Sequence, residues 1–328
     1  MKPARAMGIA IIVVLMEGAF MVSSADKPIR SKHEVTAAMK TLSNWGRWGK
    51  DDQYGALNLI TPAKRREAAQ EVRDGTSVSL AHNAMTKRAF LTPAFKHRMI
   101  ETGVMPGSQS AGDVFTVQVH GYTETHLDAL CHVFYGGRMY NGYSQREVTE
   151  KGCGKLSVIE MKSGIVTRGL LMDFPRLFGI TYLEGHRAIL PSDLDAWEKA
   201  TGVKVEKGDA VFIRTGRWAR YAGEGEWDVE HDSAGLDVSC VSWFRKRDVA
   251  VLGSDLALDV MPSGVEGVRL PVHALVIVAM GVPILDSCDL EALSREAAAR
   301  RRWTFLLTVA PLAVDKGSGS PVNPIATF

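Results

Sequence analysis

The chain has 328 residues, 46% of them hydrophobic and 23% charged, with 39 basic residues against 37 acidic ones for a formal net charge of +2. That is ample for a buried core in one large α/β domain or two smaller ones, and it excludes a chain that stays disordered. The two signs are scattered, without the Lys/Arg stripe that a phosphate backbone requires, so nucleic acid is not an expected partner.

Residues 1–25 read as a secretory leader. Lys2 and Arg5 precede an apolar run over 7–16, and Ser23-Ser24-Ala25 supplies small residues for cleavage near Ala25. The run is shorter than the ~20 residues of a spanning helix, and Glu17 interrupts the apolar region; an uncleaved anchor is the alternative. The expectation is an exported, periplasmic protein with no stable membrane span after cleavage and a mature domain over 26–328.

After the leader, 32–42 reads as a short helix, and the Gly-punctuated aromatic loop 44–49, with Trp45 and Trp48, reads as a packing plug or a substrate wall. Thr61-Pro62 supplies an N-cap and a first-turn proline for a helix running to near Gly75. Residues 78–80 and 114–120 have strand character, and 114–120 is expected to deliver its loop to a functional site at a strand end.

That loop carries the densest chemistry in the chain, Thr125-His126-Leu127-Asp128-Ala129-Leu130-Cys131-His132. Imidazole nitrogen and carboxylate oxygen are the donors that zinc or manganese prefers, and groups at i and i+2 of an extended backbone can converge on one ion. Cys131, Cys153, Cys240 and Cys288 are too widely spaced for a C-x-x-C knuckle or a disulfide scaffold. They are read as small buried residues, with Cys131 conceivable as a thiolate ligand.

The second half alternates strands (169–173, 209–214, 249–253, 282–286, 304–309) with helices (191–200, 239–247, 272–280, 290–302) and closes on a loop over 317–324. This predicts a single layered α/β domain with a mixed sheet. His33, His82, His97, His186 and His231 lie in no partner pattern and are read as surface or structural residues.

The motif THLDALCH, with the blocks NWGRWG, DDQYGALNLITP, LPVH at 270–273, PILDSCDLEAL and the GSGSPVNP tail, resembles the metal-dependent cyclase/hydrolase family that includes bacterial kynurenine formamidase and isatin hydrolase. The resemblance spans nearly the whole mature chain. It implies the swivelling β/β/α fold of that family, a homodimer or larger homo-oligomer, and a divalent metal, zinc or manganese, as one or two ions. Residue by residue, it implies His126, Asp128, His273 and Asp286 as metal ligands, with Asp128 able to bridge two ions, and His132 as the catalytic base. The sequence departs from the family twice. Tyr122 stands where short formamidases have a ligand histidine, with His120 and Glu124 beside it as alternatives, and Asp286 stands in place of a glutamate.

The expected chemistry is hydrolysis of an amide-type C–N bond (aryl formamide, lactam or cyclic imide) in a small aromatic or cyclic substrate. Water activated on the ion would attack, and His132 would act as base and then acid. A lactonase, a non-hydrolytic cyclase or dehydratase, and a degenerate protein that binds metal or ligand without turnover are the alternatives.

Overall fold

The computed structural model describes residues 29–328, so the leader reading lies outside the described residues. Fifteen strands are described. The first six are β1 (Ser77–Ser79), β2 (Lys96–Glu101), β3 (Gly112–Thr116), β4 (His126–Asp128), β5 (Val148–Thr149) and β6 (Gly152–Cys153). Then come β7 (Ile165–Asp173), β8 (Ala188–Ile189), β9 (Ala210–Arg214), β10 (Gly235–Leu236), β11 (Val251–Ser254), β12 (Ile284–Asp286), β13 (Thr304–Val309), β14 (Gly319–Pro321) and β15 (Ile325–Thr327). Nine of them form one mixed sheet in the order β1-β15-β13-β7-β9-β11-β12-β4-β14. The protein is therefore of mixed α/β class, as the alternation of elements predicts.

The middle of the sheet is parallel: β7, β9, β11 and β12 run the same way. Their sequences are near-continuous apolar runs, and β9, β11 and β12 are buried throughout, as expected of parallel strands covered on both faces. Helices fill the crossovers between them: Pro191–Thr201 before β9, Arg217–Glu224 and Cys240–Lys246 before β11, and the Pro271–His273 turn before β12. Polar residues gather where these strands end, with Asp173, Arg214, Ser254 and Asp286 as their last residues. In open α/β sheets, sites form outside the carboxyl ends of parallel strands. The antiparallel strand β4 brings its own residues to that same edge.

Local signals explain the helix starts. Ser31 caps Lys32–Thr41 in a reciprocal capping box with Glu34, and Thr61 caps Pro62–Ala69. The second helix ends at Ala69 rather than near Gly75. The apolar segment predicted as one helix over 272–280 begins as a turn at Pro271–His273 and widens into a π-helix over Ala274–Ala279. Its residues are buried all round, so the apolar pattern carried no face from which to set the winding.

Two expectations are corrected near the motif. The strand predicted over 114–120 is shorter, and it pairs only with β2 in an exposed hairpin outside the main sheet. The motif is itself a strand, β4, lying between β12 and β14. The 317–324 tail, read as a loop, contains β14, whose Gly319, Ser320 and Pro321 are the register partners of Asp128, Leu127 and His126.

Cys131 and Cys153 form a disulfide, correcting their reading as unpaired cysteines and removing Cys131 as a thiolate ligand. Cys240 and Cys288 are free and buried, as expected. Trp45 donates its indole N–H to Val278 O, and Asn44 binds the backbone at Ala279 and Met280, so the aromatic loop plugs the end of the π-helix. Among the described residues no helix is long and apolar enough to cross a membrane.

Candidate metal centre

The five residues nominated from the sequence lie on strands β4 and β12, the loop that follows β4 and the Pro271–His273 turn. His126 and Asp128 occupy alternate positions of β4, so their side chains leave the same face, and Asp286 is the direct register partner of His126 on β12. Ligand atoms of His126, Asp128 and Asp286 lie within 4.8 Å of one another, all three residues being buried. A second group, His120, Asp128 and His132, meets the same distance. Asp128 belongs to both.

Hydrogen bonds fix how these groups point. His126 Nδ1–H donates to the Glu124 carbonyl at 2.8 Å, which directs Nε2 to within 3.5 Å of Asp128 Oδ1. His120 Nδ1 lies 2.9 Å from Asp128 Oδ1, and its Nε2 is 3.0 Å from Ser318 Oγ. The His120 and His132 rings stack with centroids 3.6 Å apart. Gly319 permits this close approach, since a Cβ there would lie 2.6 Å from Leu127 O and 2.8 Å from His120 Cε1.

His273 stands between two carboxylates. Its Nδ1 is 2.6 Å from Asp259 Oδ2 and its Nε2 is 3.1 Å from Asp286 Oδ2. Asp259 also accepts the backbone N–H groups of Val272 and His273, so it fixes the turn as well as the ring. Burial disfavours charge on His273, but Asp286 and Asp259 overcome it and hold the imidazole pKa well above its ordinary value.

The environments of buried His273 and half-buried His132 contrast. His132 is pushed down to about 4, first by burial and then by the neighbouring histidines, with Asp128 opposing, so it is a neutral imidazole at neutral pH. Burial alone would raise Asp128, but the surrounding histidines hold it below the usual carboxylate range.

The donor set suits a divalent cation, and two atoms make the fit specific. Asp128 Oδ2 and Asp286 Oδ1 are buried carboxylate oxygens with no hydrogen-bond partner. An unpartnered buried carboxylate oxygen is costly, and a cation is the usual way of satisfying it. The residues present therefore fit a metal ion.

Of the two alternatives to the missing ligand histidine, the structure brings His120 to Asp128, while Glu124 turns to accept the Met85 N–H at 3.2 Å. Tyr122 directs its hydroxyl to Glu230 and Arg269 and its carbonyl to Arg217. Sequence reasoning missed Asp259, Ser318 and Gly319. For Ser318 and Gly319 the signal was the tail's similarity to the family; Asp259 had none.

Comparison with known proteins places this fold. The Cyclase family model matches residues 41–259, two-thirds of the chain, and the protein belongs to that family. A crystal structure described as a novel cyclase is 30% identical over 88% of this chain and 99% of its own, with a TM-score of 0.81. Isatin hydrolase A from Labrenzia aggregata, bound to benzyl benzoate, is 19% identical over 79% of this chain and 94% of its own, with a TM-score of 0.59. An isatin hydrolase bound to the product analogue thioisatinate is 18% identical over 79% and 93%, with a TM-score of 0.56. No curated protein matches the sequence. The matched segment ends at Asp259, so His273 and Asp286 lie beyond it, and the β4–β12 pairing is what brings Asp286 to His126.

Proposed function

We propose that the protein is a metal-dependent hydrolase that opens an amide-type C–N bond in a small aromatic or cyclic substrate such as an aryl formamide, lactam or cyclic imide. One observation carries this reading: Asp128 is shared by two clusters of potential ligands and keeps one buried oxygen unpartnered. The likeness in fold to isatin hydrolases supports the choice of bond.

His126, Asp128 and Asp286 would hold the ion, joined by His273 once its Nε2 gives up the proton it shares with Asp286, with His120 in the place that Tyr122 leaves unfilled. A zinc or manganese ion bound there supplies Lewis-acid polarisation of the substrate carbonyl and acidifies a water for attack. His132, neutral at ambient pH and stacked on His120, accepts the proton of the attacking water on an imidazole nitrogen and returns it to the leaving nitrogen. The net change adds water across the C–N bond and yields a carboxylic acid together with an amine from a formamide or lactam, or with an amide from an imide. Glu124 contributes its carbonyl, which keeps His126 in the Nδ1–H tautomer.

Export through the leader at 1–25 and a homo-oligomeric state complete the reading. The Cys131–Cys153 disulfide supports an oxidising compartment. The test is a panel of N-formyl aromatics, cyclic imides, lactams and lactones, assayed with and without chelator. Amide turnover lost on chelation and restored by zinc or manganese is expected. Full activity after chelation overturns the metal role, and turnover of the lactones alone overturns the choice of bond.

A further inference from the structure

Arg217 is 2% exposed, yet its guanidinium makes no ion pair among the described residues. Nη1 donates to Ser287 Oγ at 3.2 Å and to Asp255 O at 3.3 Å, Nη2 donates to Tyr122 O, and Nε has no partner. The rings of Phe90 and Trp218 both lie against it, with centroids 4.6 and 4.2 Å from the guanidinium carbon. Burial pushes its pKa down to about 9, with Asp255 and Asp286 opposing, so it stays charged at neutral pH. A buried cation without an ion pair is an expensive group to keep in a core.

What it joins gives the reason. Tyr122 begins the segment that leads into β4, and Ser287 directly follows Asp286 at the end of β12. Because β4 and β12 are antiparallel, these two segments meet at the same end of the ladder that carries His126, Asp128 and Asp286. Ser287 is a non-glycine residue at φ 54°, a left-handed conformation that costs about 1 kcal/mol. Its N–H donates to Leu256 O, its carbonyl accepts from Thr125 Oγ1 at 2.7 Å, and its hydroxyl is held by Arg217. Trp218 adds an indole N–H to Cys288 O at 2.9 Å. The first two residues of one helix thus clamp the two chain segments that carry His126, Asp128 and Asp286.

We propose that Arg217 is a positioning residue for the His126–Asp128–Asp286 group, holding the ends of β4 and β12 in register so that the three side chains converge on a divalent cation. The proposal rests on the metal-binding reading above. A purely electrostatic role makes the opposite prediction: a positive charge near Asp286 repels the incoming cation, and removing it would tighten binding.

Zinc titration of the metal-free protein by calorimetry separates the two. Arg217→Met should weaken zinc binding roughly tenfold or more, the range seen when groups that orient metal ligands are removed. Arg217→Lys should recover part of the loss, and Ser287→Ala, which removes one anchor and no charge, should weaken binding by a few-fold. If Arg217→Met does not fold, Ser287→Ala and Arg217→Lys decide. Equal or tighter binding in the folded variants overturns the assignment, as does a lowered apo-protein Tm with unchanged zinc affinity. A wild type that takes up neither zinc nor manganese overturns the metal reading itself, and the assignment with it.

Discussion

Asp286 lies directly opposite His126 across the β4–β12 pair, so a single rung of the sheet supplies two of the three groups in the buried ligand cluster. The shared Asp128 makes the two clusters unequal under mutation. Asp286→Ala should remove the cation of its own cluster and spare the one beside His120, whereas Asp128→Ala should leave neither. Elemental analysis after dialysis checks the stoichiometry. Hydrolysis by Asp128→Ala should fall at least about 10²-fold, because polarisation of the carbonyl contributes several kcal/mol.

His132 has a different assignment from its neighbours. As the proton carrier it should leave the cation of the His126–Asp128–Asp286 cluster in place when replaced, so His132→Ala is expected to keep that ion and lose about 10²–10⁴ in kcat. Loss of metal in step with activity would make His132 a ligand instead.

The disulfide bears on the same loop. Cys131 lies one residue before His132, and Cys153 is 22 residues further on, so the bond closes a loop that includes the Gly-rich segment 136–142. Cross-linking a loop of this length stabilises a domain by about 3 kcal/mol, mainly by restricting the unfolded chain. Cys153→Ser should lower stability by about that amount in denaturant titration, and wild type unfolded under reductant should match the variant.

Much of the centre was legible because its residue types are unusual at that spacing. His126, Asp128 and His132 are nominated by donor chemistry alone, and His273 and Asp286 by resemblance. The architecture was legible for a separate reason: the parallel strands are buried on both faces and so read as continuous apolar runs. What did not show was pairing. A strand of three residues is too short for period-two alternation to mark, which is why β4 and β14 read as loop. The residues that aim the ligands, Asp259, Arg217 and Ser318, are common polar types whose meaning arises only when distant segments meet. The Cys131–Cys153 pairing is of the same kind, since wide cysteine spacing leaves connectivity to the fold.

Away from the centre, Glu198 offers a test of acid stability. It is buried, accepts from Lys204, Arg247 and the Val205 N–H, and these contacts outweigh burial to hold its carboxyl below the ordinary glutamate value. A depressed folded pKa stabilises the protein above the unfolded value near 4.3 and ceases to do so as pH falls through the folded one. Glu198→Gln should therefore cost about 2 kcal/mol at neutral pH. The difference from wild type should shrink below about pH 4, and Tm measured across pH 3–7 checks the sign.

Gly319 links the chain terminus to the centre through bare steric contact. It is the register partner of Asp128, and any side chain there would press on Leu127 O and on the edge of the His120 ring. The Leu127 oxygen belongs to the ladder and cannot move, so the ring must yield, and His120 would leave the stack with His132 and its contact with Asp128. Gly319→Ala should therefore weaken zinc binding and lower hydrolysis by roughly tenfold or more, as expected when the support of a ligand is disturbed. The cost in stability should be about 1–3 kcal/mol, the usual penalty for an overpacked core. Ser318→Ala adds no bulk and loses only the hydroxyl near His120 Nε2, so it should weaken zinc binding less than Gly319→Ala does. Parallel titrations of the two variants separate steric displacement from loss of one hydrogen bond. Equal affinities would show that His120 does not need its present position for the cation to bind.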